Sequence, residues 1–458
     1  MSAGHLAGLI RSREVSSEEA LEACLARIAT VNPRLNAVVA FAADAIDRAR
    51  DSDARLARGE APGPLHGVPF TIKDSIDTAG LVTTAGSVGW RNRVPDRDAT
   101  VVARLRAAGG ILLGKTNTPE FTWSDETDND VYGRTNNPYD LERTPGGSSG
   151  GAAAIVAAGG VPFDIGSDTG DSIRQPAHVC GIAGLKPTSG RVPQTGAWPS
   201  FAGIAGSLQQ LGPLARRVDD LALILPITAG PDGEDPRVPP VTIGLGGPDG
   251  VDVASLRVAA FTDNGLRTPT PGTVAAVEAA AAALGAAGAH VEWQVPPGID
   301  DAWDTWDRLI RSDGYGWLRR LIAGAGTEAW GSYETRGWID PRPPVPGDEL
   351  SALLEHADAV RSRLLRWFHD VGADAIVCPA MPQPAIRHGE SNAAWFGDTY
   401  SDVHNLTGWP AVVVRGGTSP DGLPIGVQLI AQPWREDVAL AAARVVEGAS
   451  GGWQPPPL

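Results

Sequence analysis

Apolar positions Leu21, Cys24, Leu25 and Ile28 recur at helical spacing behind Ser16-Ser17-Glu18-Glu19. That pattern predicts a helix over 16–31, opened by a serine cap and an acidic first turn. A second helix, rich in alanine and arginine, is predicted near 38–58. From residue 67 the texture changes to short apolar runs cut by glycine and proline, at 68–72, 111–113 and 161–165. Helical stretches at 98–108 and 150–158 separate them. Strands alternating with helices predict an α/β layered sheet.

Residues 228–250, rich in glycine, proline and aspartate, read as a surface connection. A strand-helix-strand unit follows at 256–261, 273–288 and 290–293. Strands at 375–379 and 411–414 return to the sheet. Residues 294–350 are rich in proline and tryptophan, and nine of the chain's 14 tryptophans fall from Trp293 to Trp409. Those rings are either the core of a variable subdomain or the wall of a pocket for a bulky apolar substrate.

Composition narrows the chemistry. Only three of the 38 basic residues are lysine (Lys73, Lys115, Lys186), and all lie between residues 73 and 186. Arginine serves wherever a permanent charge suffices, whereas a desolvated lysine can lose its proton and act as a base. A net charge of −16 argues against nucleic acid or an anionic membrane as partner. Cys24, Cys180 and Cys378 are widely spaced, which fits a reducing compartment. The N-terminus has no basic flank followed by an apolar run, and no apolar stretch of about 18 residues occurs. The expectation is a cytoplasmic protein without a membrane segment.

Three short patterns compete for the chemistry. Gly109-Gly110-Ile111-Leu112-Leu113-Gly114-Lys115-Thr116 satisfies the phosphate-loop spacing, but its apolar middle reads as a strand. Gly146-Gly147-Ser148-Ser149-Gly150 satisfies GxSxG, the nucleophile elbow of esterases. Its triad would be completed by His290, His388 or His404. The polar, proline-broken segment before it lacks the strand an elbow needs. The third is a pair of serine-glycine clusters, 146–151 and 168–174, that place Ser148 and Ser172 24 residues apart. A serine needs a base, and the scarce lysines offer one.

These clusters, with Gly67-Val68-Pro69-Phe70-Thr71-Ile72-Lys73-Asp74, Gly184-Leu185-Lys186-Pro187-Thr188, Asn405-Leu406-Thr407-Gly408-Trp409-Pro410-Ala411 and Gly422-Leu423-Pro424-Ile425-Gly426-Val427-Gln428, resemble the amidase signature family. The likeness covers most of the chain and is weakest at 295–400. It implies one amidase domain over 1–458: N-terminal helices at 1–63, a signature core at 64–230 and a variable tryptophan-rich substrate segment at 295–400. The implied fold is a large mixed, twisted sheet flanked by helices on both sides.

The resemblance also implies a Lys73–cis-Ser148–Ser172 triad. Ser172 attacks, Ser148 relays the proton and Lys73 accepts it. The backbone amides of Thr169, Gly170, Asp171 and Ser172 hold the oxyanion, while Ser149, Asp168 and Arg174 support the triad. No metal or cofactor is implied. The expected partner is a small amide, carbamate or ester, hydrolysed by a monomer or homodimer with aryl-amidase or urethanase activity. The alternatives are the histidine-triad esterase and a glutaminase component of an amidotransferase within the same family.

Other residues carry structural expectations. Lys115 and Lys186 bond loop carbonyls, Cys180 is a packed thiol, and His178 is a wall or core residue. One departure stands out: Asp171 occupies a position where the family usually has glycine. Aspartate is among the few residues that tolerate a positive φ if the turn needs one. Asp171 is expected to polarise or narrow the pocket, with its carboxylate turned away from the oxyanion.

Overall fold

The structure is a computed structural model describing residues 1–60, 63–198, 203–241, 243–328, 342–394 and 400–458. Its described strands form one eleven-stranded mixed sheet: β1 (Val38–Phe41), β2 (Pro69–Lys73), β3 (Ile111–Thr116), β4 (Phe163–Asp168), β5 (Ala183–Lys186), β6 (Gln210–Ala215), β7 (Arg257–Ala260), β8 (His290–Trp293), β9 (Ala375–Pro379), β10 (Ala411–Thr418) and β11 (Pro424–Ala431). Their spatial order is β1-β3-β2-β4-β6-β5-β10-β11-β9-β7-β8. β2 runs parallel to β3 and β4, and β7 parallel to β8 and β9; the remaining pairs are antiparallel.

β9 and the first half of β10 are unbroken apolar runs because both of their faces are covered. Alternation divides the residues: Leu112, Val258, Val377, Val412 and Val414 enter one core. Ile111, Leu113 and Val413 enter a second, and Ala259, Ile376 and Cys378 a third. The first core is roofed by helices Ala3–Arg11, Thr100–Ala107, Val218–Thr228, Pro271–Ala286 and Glu436–Ser450. The second is covered by Ser17–Leu35, Ala45–Ala57, Gly150–Ala157 and Arg174–Cys180. The expected mixed sheet with helices on both faces is the architecture found. No described helix is long and apolar enough to cross a membrane.

The first predicted helix has its capping box. Ser16 Oγ accepts from Glu19 N (3.1 Å), and the Glu19 carboxylate accepts from Ser16 N (2.8 Å). It runs further than expected, to Leu35. The helix expected over 38–58 is instead β1 followed by helix Ala45–Ala57. Asn32 Oδ1 accepts from the amides of Ala37 and Val38 (2.8 and 2.9 Å), turning the chain out of the helix. Val38 then pairs with Thr116, so tertiary pairing overrides the local helical composition. The strand expected at 161–165 runs from Phe163 to Asp168 and ends inside the second serine-glycine cluster.

Within the tryptophan-rich segment, helices Ile299–Ile310, Gly316–Gly324 and Gly347–Asp370 form. Trp409 is core, packed edge-on against Phe368 at 5.0 Å, and Trp293 is exposed on β8. Trp330, Trp338 and Trp395 lie outside the described residues.

Candidate active site

Lys73 ends β2 on the face opposite Phe70 and Ile72, so strand alternation aims its side chain away from the first core. It is fully buried. Its Nζ lies 2.7 Å from Ser148 Oγ and 3.0 Å from both Ser149 Oγ and Ser167 Oγ. Burial pulls the ammonium pKa well below its ordinary value, against the raising effect of Asp168, Asp164 and Asp171. A neutral amine has two N–H donors and one lone pair, which three hydroxyls can fill.

Ser148 follows a cis peptide bond from Gly147. A side chain at Gly147 would place a Cβ 2.5 Å from the Ser124 carbonyl oxygen, so only glycine fits there. Gly147 N donates to Gln175 Oε1 at 2.8 Å, and Ser149 N donates to the Ser172 carbonyl at 3.2 Å. These bonds tie the two serine clusters together. Burial grades outward: Lys73 and Ser148 are enclosed, whereas Ser172 is half-exposed.

The Ser172 turn wraps a buried ion pair. Asp168 Oδ2 accepts from the amides of Ile173 (3.0 Å) and Arg174 (3.3 Å). The Arg174 guanidinium grips the same carboxylate at 2.8 and 3.0 Å. Burial alone would raise the Asp168 pKa, but the charge and hydrogen bonds of Arg174 outweigh it and hold the carboxyl at about 2. Arg174 also donates to the Ser401 carbonyl and Gln428 Oε1, and Asn405 Nδ2 to Asp168 Oδ1. The C-terminal half thus braces the turn.

Thr169, Gly170 and Ser172 are partly exposed, whereas Asp171 is buried. Asp171 lies outside the positive-φ region, so an aspartate there carries no left-handed strain. Its carbonyl accepts from Gln175 N at 2.7 Å and starts helix Arg174–Cys180.

The competing patterns lose their geometry. Ile111–Thr116 is an extended strand between β1 and β2, not a phosphate-cradling loop. Ser148 has a lysine, not a histidine, within hydrogen-bond distance. His290 sits exposed on edge strand β8, and His404 stacks on Trp409. His178 is buried, with Nδ1 accepting from Gly426 N (2.9 Å) and Nε2 beside the Gln383 carbonyl (3.0 Å); burial lowers its pKa to about 4. The Cys180 thiol is packed against the Pro145 carbonyl. Lys115 donates to the Ile76 carbonyl and Thr78 Oγ1, and Lys186 to the Pro187 carbonyl and Gln210 Oε1.

Sequence reading missed three groups. Ser167, the third hydroxyl on Lys73, adjoins Asp168 in the sequence. Trp306 donates its indole N–H to the Thr169 carbonyl at 3.2 Å. Trp123, outside the tryptophan-rich segment, meets Trp317 edge-on at 5.3 Å. Trp123, Trp306 and Trp317 pack around Ala205, Leu208 and Ile310. Beside them a cavity of about 380 Å³ is lined by Ile204, Leu309, Ile310, Trp317 and Leu321, with Ser312, Asp313 and Arg320.

The amidase family model matches residues 19–440. The chain belongs to the amidase family. It is therefore an enzyme acting on amide C–N bonds. It is 38% identical to one subunit of the glutamyl-tRNA(Gln) amidotransferase of Symbiobacterium thermophilum, over 97% of this chain and 95% of that one. Among solved structures it resembles 6-aminohexanoate cyclic dimer hydrolase complexed with substrate (TM-score 0.84, 32% identity, covering 98% of this chain and 97% of that one). It also resembles a bacterial aryl acylamidase (TM-score 0.85, 28% identity, covering 98% and 96%). Two of the amidase signature segments recognised in the sequence meet where Lys73 Nζ contacts Ser148 and Ser149, and the Ser172 turn joins them through the Ser149 N–H donating to the Ser172 carbonyl.

Proposed function

We propose that this amidase hydrolyses amides or carbamates carrying a bulky apolar or aryl group, through an acyl- or carbamoyl-enzyme on Ser172. The observation that carries the reading is the buried Lys73 amine within 2.7 Å of Ser148 and 3.0 Å of Ser149 and Ser167. Burial pulls the amine's pKa well below its ordinary value and so favours the neutral form, whose lone pair can accept a proton.

Ser148 donates its proton into the Lys73 lone pair, while Ser149 and Ser167 accept the two N–H groups. Ser172 Oγ bonds the carbonyl carbon and passes its proton to Ser148, as Ser148 passes its own to Lys73. The amides of the 169–172 turn stabilise the oxyanion. Losing one such donor typically costs about 10²–10³ in rate. The ammonium returns the proton through Ser148 to the leaving nitrogen, and water reverses the sequence to free Ser172.

The indole wall of Trp123, Trp306 and Trp317 beside the turn supports the bulky-substrate reading. The purified chain is expected to hydrolyse aryl anilides or aryl carbamates unaided, and faster than acetamide. Indifference to the aryl group contradicts that substrate class.

A second reading has its own support, the 38% identity to a component of a glutamyl-tRNA(Gln) amidotransferase. On that reading the same triad releases ammonia from glutamine, and the chain works with further subunits. Glutamine turnover that appears only on adding such subunits favours it.

A further inference from the structure

Lys73 has a carboxyl neighbour that the proton relay leaves unused. Asp164, on β4, is registered opposite Thr71 on β2, two residues before Lys73, and Lys73 is registered with Thr116 on β3. Phe163 and Ile165 enter the first core, so alternation places Asp164 on the Lys73 face of the sheet. Its Oδ2 accepts from Thr71 Oγ1 at 2.6 Å and Thr116 Oγ1 at 3.0 Å. Its Oδ1 is buried and has no hydrogen-bond partner among the described residues.

A buried acid with an unmet oxygen is a poor structural choice, because the unpaired acceptor is destabilising. Three strands nevertheless hold it in the layer that carries the general base. We propose that Asp164 is a positioning residue for that base: its carboxylate is the counter-charge that steadies Lys73 while it holds the serine proton. The inference rests on Lys73 serving as the base for Ser172. Asp164 gives and takes no atom; the proton passes from Ser172 to Ser148 and from Ser148 to Lys73, and the new ammonium faces the carboxylate.

Several charges face this pair. Lys73 also experiences Asp168 and Asp171, and Asp164 experiences Lys115. Asp168 is locked to Arg174 and stays ionised to about pH 2, so it is a constant background. Burial lifts the Asp164 carboxyl to about 7, against the pull of Thr71, Thr116, Lys115 and Lys73. Its negative charge is therefore present above neutrality and lost below it.

The test is the rate at which a fluorophosphonate labels the full-length protein between about pH 5 and pH 10, for wild type, Asp164→Asn and Thr116→Val. Removing the anion makes Lys73 easier to deprotonate. In Asp164→Asn the acid limb should move about one unit to lower pH. The plateau rate should fall about tenfold, because the transient ammonium loses its counter-charge. Thr116→Val strips one hydroxyl from Asp164 and raises its pKa. That variant should be several-fold slow near pH 7.5 and recover above about pH 9, which decides the matter if Asp164→Asn does not fold. Wild-type limbs and plateaus in the folded variants, with Ser172 still the labelled residue, overturn the proposal. A wild-type adduct on another serine instead overturns the assignment beneath it.

Discussion

The indole Nε1–H of Trp306 donates to the Thr169 carbonyl at 3.2 Å, joining the tryptophan-rich segment to the nucleophile turn. Gly170 makes this approach possible: a Cβ there would lie 3.2 Å from the Trp306 ring and 2.7 Å from Asp402 Oδ1. One side chain thus fixes the turn and, on the proposed reading, walls the substrate side. Trp306→Ala is expected to lower kcat/KM for an aryl anilide about ten- to hundredfold while sparing acetamide, the scale of one lost pocket contact. Trp306→Phe should fall between. Equal losses on both substrates argue against a substrate wall.

Lys73→Met should abolish turnover and keep the fold. The lysine's folded pKa lies below its unfolded value, so the unfolded chain binds the extra proton. Its contribution to stability therefore rises with pH between the folded pKa and about 10.5. Denaturation of the methionine variant should be flatter across pH 7–10 than that of wild type. A parallel pH profile contradicts a depressed lysine.

Arg174→Ala removes one half of a fully buried ion pair and strands Asp168. A loss of about 3–5 kcal/mol is expected in denaturant unfolding. The depressed Asp168 pKa gives stability that is fully present above about pH 4 and lost as pH falls through about 2. A loss under about 1 kcal/mol indicates that water or neighbours replace the arginine.

Asp171→Gly restores the family's usual residue. The buried Asp171 carboxylate acts on both Lys73 and Arg174. Rates across an acyl panel should change rank in the variant, with anionic acyl groups gaining most. Unchanged rates throughout refute a role for Asp171 in substrate choice.

Much of the site was legible because its residues sit in contiguous motifs. Lys73 and Asp168 end strands, Ser148 and Ser172 sit in glycine-containing turns, and Arg174 opens a helix, each inside a short motif. β1 was not legible: four residues at the sheet edge gain their extended form from Thr116 and its neighbours, 78 positions away. Trp306–Thr169 and Asp164–Thr71 were hidden for the same reason, spanning 137 and 93 residues. Nor does composition reveal that three hydroxyls meet at one lysine.

The central claim is that Ser172 attacks while Ser148 relays. Mass spectrometry of the fluorophosphonate-labelled native protein tests it most directly. The adduct should map to Ser172 and vanish in Ser172→Ala. An adduct on Ser148, with Ser172→Ala still labelled and active, would contradict it.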